Sequence, residues 1–140
     1  MFKQVDFEKK QFTNGYEEYL KEDRPFTNFV LDDFRNRGLI RQRVFERAGI
    51  SIGYGYKILY GEKKTHNRDL ILSLCLGAEM SLSQTQTVLL LYNMPILYPC
   101  YLRDEILMQS IRDRDFSISN INNKLAEKGC AVLSAKAKSE

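Results

Sequence analysis

Between Arg35 and Arg68 the chain carries nine basic side chains and two acidic ones, a local net charge of about +7 in a chain whose total is +3. The basic residues are Arg35, Arg37, Arg41, Arg43, Arg47, Lys57, Lys63, Lys64 and Arg68; the acids are Glu46 and Glu62. Guanidinium and ammonium groups gathered in one stretch hold anions. An asymmetry of this kind suggests a surface that faces a polyanion. A solvated helix face that is simply basic gives the same count, so charge alone leaves both readings open.

Bond-breaking chemistry finds less to work with. His66 is the one histidine in the sequence. It sits in a basic polar loop, and nothing around it resembles a nucleophile motif. Asp32–Asp33 and Asp104–Glu105 are adjacent pairs. Neighbours on a helix point in different directions, which suits neither a metal nor acid–base work. Cys75, Cys100 and Cys130 match no metal spacing and no disulfide framework; they read as buried or idle thiols in a reducing cytoplasm. GYGYKILYG superficially suggests a phosphate loop, but it follows no strand and has no lysine–serine ending. The expectation is a protein that is not an enzyme and uses no metal and no cofactor.

The elements that would position the basic residues follow from spacing. With 140 residues, 44% hydrophobic and 28% charged, the chain is long enough for one domain with a real core. No apolar run approaches a membrane span, and the charged start MFKQVDFEKK does not read as a signal peptide, so the expected location is cytoplasmic with no membrane partner. Strand alternation is nearly absent and helical spacing is common, so the fold class is all-α. YEEYLKED suggests a short helix over 16–22, with Asn14-Gly15 before it and Pro25 after it as breakers. Thr27 or Asn28 then caps a helix through Arg37, stopped by Gly38. Two short helices follow, over about 40–48 and 51–60, separated at Gly49. Asn67 caps RDLILSLCLGAEM, and Ser81 or Ser83 opens QTQTVLLLY. A turn lies between Pro95 and Pro99, a helix over about 103–112, and a last helix behind Ser117. YNMPILYPCY reads as a turn packed over the core, or as a partner surface.

A helix, a tight glycine turn and a second helix form the helix-turn-helix unit. The stretch LIRQRVFERAGISIGYGYKILYGEKKTHNRDLILSLCLGA resembles the Cro and phage-repressor (XRE-like) helix-turn-helix superfamily. The resemblance rests on Val44 before the turn, the turn Ala48-Gly49-Ile50-Ser51, Ile58 in the second helix, Gly61 closing it, the basic loop and the leucine-rich helix that follows. The region after it looks like a bacterial group of such proteins with a C-terminal helical extension. The resemblance implies a lambda-repressor-like helix-turn-helix bundle with additional N- and C-terminal helices. Its parts would be an arm over 1–25, the helix-turn-helix domain over 26–80, an extension over 81–130 packed on it, and a disordered tail over 131–140.

The function implied is a DNA-binding transcriptional regulator. Ile52, Gly53, Tyr54 and Lys57 map to the base-reading positions, with Tyr56 beside them. Arg41, Arg43, Lys63 and Lys64 map to phosphate contacts. Direct readout favours Arg, Lys, Asn and Gln, and this set offers Lys57 alone. Weakly specific, salt-sensitive binding to double-stranded DNA is therefore expected, commonly as a homodimer on two half-sites. The alternative is a degenerate helix-turn-helix that binds a protein partner through GYGYKILY. Two departures from the family pattern concern the core. Phe45 stands where a small residue is usual, and Gly55 where Ile or Val is usual. Both positions lie at the helix–helix contact of the family fold, so Phe45 is expected to fill the space left above Gly55.

Overall fold

Every residue from Leu70 to Ala78 is buried, and the other helices are arranged around that segment. The computed structural model describes residues 15–135; eight helices and no strand occur among them. They are α1 (Tyr16–Leu20), α2 (Pro25–Arg37), α3 (Arg41–Ala48), α4 (Ile52–Leu59), α5 (Arg68–Gly77), α6 (Leu82–Leu91), α7 (Leu102–Arg112) and α8 (Ile118–Glu127). The all-α expectation holds for these residues. Helix α5 packs most closely on α3 and also on α6; α2 packs on α1, α4 and α6; α7 joins α6 to α8. One hydrophobic core runs through all of it, from Phe26 to Leu133.

Local chemistry explains most of the boundaries. Ser81 and Gln84 form a reciprocal capping box at the start of α6, while Asn67 caps α5 and Ser117 caps α8. Gly49 separates α3 from α4 at φ 72°, a left-handed conformation that most side chains resist. Helix α2 begins earlier than a Thr27 or Asn28 cap would have it. Pro25 occupies its first turn, where a missing N–H costs nothing. The Thr27 hydroxyl is used elsewhere, donating to the Leu59 carbonyl at 2.6 Å.

The ends of α5 are fixed by charged side chains. At its C-terminus Arg37 donates to the Ala78 carbonyl at 2.7 Å, and Arg47 donates to the Gly77 carbonyl at 2.8 Å. At its N-terminus Arg68 pairs with buried Asp104 at 3.1 Å, and Asp69 pairs with Arg103 at 2.9 Å. The turn after α6 is clamped by buried Gln86, whose amide donates to the Leu97 carbonyl at 2.9 Å and accepts the Leu97 N–H at 2.8 Å. Leu97 is buried, but Tyr98, Tyr101 and Leu102 stand exposed. The stretch thus plugs the core through Leu97, as the first of its two readings has it, and leaves the Tyr98 and Tyr101 rings open.

The disordered tail expected from residue 131 needs correction over 131–135. Leu133 is buried, its N–H bonded to the Asn122 side chain at 2.8 Å. The Ser134 N–H bonds Asp69 at 3.2 Å, and its carbonyl accepts from Asn67 at 2.8 Å. A single leucine with matched hydrogen bonds ties down a segment whose composition reads as small and charged. Residues 136–140, and residues 1–14 of the expected arm, lie outside the described residues.

Cys75 in α5 is fully enclosed, whereas Cys100 is exposed and Cys130 partly so. Burial pushes the Cys75 thiol from 9.0 up to about 12. The folded chain therefore keeps the proton that the unfolded chain loses above pH 9.0. Its contribution to stability is full below that pH and is lost as pH rises towards about 12. The urea midpoint is expected to fall from about pH 8 to about pH 11, with a shallower fall in Cys75→Ala. Identical slopes for the two proteins would refute the assignment. Tyr19 is also raised to about 12, by burial and by its 2.6 Å hydrogen bond to Asp32, and supplies the part of the slope left in the variant.

Candidate nucleic-acid interface

The basic stretch divides by partner. Arg37, Arg47 and Arg68 are used inside the fold, at the two ends of α5. Arg35 pairs with Asp32 at 3.0 Å on the surface, an exposed contact worth little. Arg41, Arg43, Lys57, Lys63 and Lys64 are exposed, and their side chains have no hydrogen-bond or ion-pair partner among the described residues. Those five are the cations selected by position along the sequence. All lie on α3, on α4 or in the loop that follows.

Their placement follows from how this unit closes. Arg41 and Arg43 occupy the first turn of α3. The chain leaving α4 folds back, with the Glu62 and Lys63 N–H groups donating to the Lys57 carbonyl at 2.8 and 3.1 Å. Lys63 is thereby brought to the last turn of α4, beside Lys57. Phe45 fixes α3 against α4: a Cβ added to Gly55 would lie 2.7–2.8 Å from the ring. The expected filling of the space above Gly55 by Phe45 is what the geometry shows.

Helix starts sharpen the electrostatics. Each of α1, α5, α6, α7 and α8 begins with a side-chain cap, with acidic residues in the first turn, or with both. Helices α2, α3 and α4 begin with neither. Ser51 holds the N-cap position of α4 but makes no capping bond. In α3 two arginines add positive charge to the positive end of the helix dipole, an arrangement that an external anion would relieve.

The base-reading positions divide as well. Ile52 and Gly53 are exposed. Tyr54 instead packs against the core, and its hydroxyl is enclosed without a hydrogen-bond partner among the described residues. Tyr56 meets the Phe45 ring edge-on at 5.1 Å and stacks on Tyr60 at 6.1 Å. Both tyrosines act largely as packing residues, set beside the buried Ile58 and Leu59 of the same helix. Gln42, exposed in the first turn of α3, was missed by a count of charges. Its amide carries the donor–acceptor pair that suits adenine, and that is the signal that could have found it.

No protein-family model matches the chain, and no curated protein and no solved structure matches it significantly.

Proposed function

We propose that this protein is a DNA-binding regulator that uses α3, the Gly49 turn and α4 as an XRE-like helix-turn-helix, with strong phosphate contacts and weak base specificity. The observation that carries the reading is the set of five cations with unpartnered side chains among the described residues, Arg41, Arg43, Lys57, Lys63 and Lys64, gathered on that unit and the loop after it, while Arg37, Arg47 and Arg68 are engaged inside the fold. In this reading Arg41, Arg43, Lys63 and Lys64 hold phosphates. Ile52, Lys57 and Gln42 face the groove, and Gly53 permits close backbone approach. The residues 81–130 brace the unit, and exposed Tyr98, Tyr101 and Leu102 are the surface on which a second copy would pair.

The test is fluorescence anisotropy with random-sequence duplex DNA across a salt series. Four phosphate contacts give a slope of log K against log salt of about −3.6, and Arg41/Arg43/Lys63/Lys64→Ala brings it close to zero. Failure of the folded wild type to bind at low salt would overturn the proposal.

A second reading, a protein-interaction module, is favoured by Ile40 and Ile52, which are 58% and 39% exposed at the starts of α3 and α4. Its contact would keep its strength as salt rises.

A further inference from the structure

A cleft of about 700 Å³ opens between the first turn of α2, the loop after α4 and the segment that follows α6. Its walls are tied together. Arg24 donates to the Tyr60 carbonyl at 3.2 Å, and Thr27 to the Leu59 carbonyl at 2.6 Å. The Thr65 N–H donates to the Tyr92 hydroxyl at 3.2 Å, and the Phe26 ring meets Tyr92 edge-on at 4.6 Å. The cleft is therefore formed before anything enters it. Its volume falls within the range of small-molecule sites, roughly 300–1,000 Å³.

The lining combines two chemistries. Phe26, Tyr60, Tyr92 and Met94 supply aromatic and apolar surface. Arg24, Lys63 and Lys64 supply three positive charges against one acid, Asp23, a net of +2. A phosphate monoester carries roughly −1.5 to −2 near neutral pH, which matches that charge. A carboxylate supplies half of it, and a neutral aromatic none. We propose that the cleft binds an aromatic phosphate monoester of nucleotide size, with its ring system against the aromatic wall and its phosphate held by Lys63 and Lys64. The same two lysines are assigned to DNA phosphates above. Resting on that reading, an occupied cleft takes them away from DNA, and the ligand is a negative effector of binding.

The experiment is calorimetric titration of the full chain with AMP, GMP, CMP and UMP singly, with the matching nucleosides and inorganic phosphate as controls. At least one nucleotide is expected to bind, and its nucleoside and inorganic phosphate at least about tenfold more weakly. Lys63→Ala/Lys64→Ala, both exposed and so without effect on folding, should weaken the nucleotide about tenfold or more. Met94→Trp, which fills the cleft and leaves its charge alone, should abolish binding at an unchanged unfolding temperature. The proposal is overturned if no nucleotide binds, if nucleoside or phosphate binds as tightly, or if the lysine variant binds like the wild type. Duplex DNA, titrated separately, keeps the two readings apart. Nucleotide binding without DNA binding leaves the cleft standing and removes the regulator; DNA binding without nucleotide binding does the reverse.

Discussion

Phe45→Ala is expected to destabilise the protein by about 3–5 kcal/mol, the range for removing a fully buried phenyl ring. The ring is completely enclosed, lies on Gly55 and meets Tyr56 edge-on. Its loss opens a void between α3 and α4 that a backbone fixed by the Gly49 turn cannot close. The partner position makes the test specific. Gly55→Ile alone drives a branched side chain into the ring and should cost well over 1 kcal/mol. Placed in the Phe45→Ala background, the same isoleucine enters the void. The double variant should recover part of the lost stability, with a coupling energy of about 2–3 kcal/mol. Urea unfolding of the four proteins measures it. Additive single effects would show that the two positions do not share one volume.

Gly77→Ala should be nearly as damaging, and no second substitution should rescue it. A Cβ at Gly77 collides with the Val44 carbonyl oxygen and stands 3.0 Å from both the Cβ and the N of Ala48. The obstacle is the backbone of α3, which no side-chain replacement removes. The two helices must separate, at a cost of about 3 kcal/mol, although alanine is the better helix former by roughly 1 kcal/mol. Because α3 carries Arg41 and Arg43, their position shifts with it. Unfolding in urea reads the cost, and a loss below about 1 kcal/mol would mean that α3 and α5 slide apart freely. Ala48→Gly trims one of the three contacts and leaves both backbone atoms, the Val44 carbonyl oxygen and the N of residue 48, in place, so it should restore little.

These two glycines show how far the sequence could be read. Gly55 was legible because a ring and a missing side chain ten residues apart fall at one expected helix contact. Gly77 looked like a residue near a helix end. Its role depends on how closely α3 crosses α5, and no local spacing encodes that distance. The caps at Asn67, Ser81 and Ser117 were legible because capping is local chemistry. The start of α2 was not, since Thr27 is taken by a carbonyl 32 residues away. The candidate interface divides on the same line. Exposed cations could be chosen by position, but Arg37, Arg47 and Arg68 count as basic residues in the sequence and as internal ties in the structure. Tyr54 packs against the core and Tyr56 against the Phe45 ring that lies on Gly55, tertiary contacts that outward-facing spacing did not anticipate.

The tether between Ser134 and Asn67 joins positions 67 residues apart, and it has a consequence for synthesis. A nascent chain is made from its N-terminal end at roughly 5–20 residues per second. By the time Ser134 is added, α2 to α5 and the lysine-bearing loop have been exposed for several seconds. During that interval the base of the loop lacks the strap, and Asp69 lacks Arg103. A ribosome that pauses within 103–134 would prolong the life of a species with its cations displayed and its anchor missing.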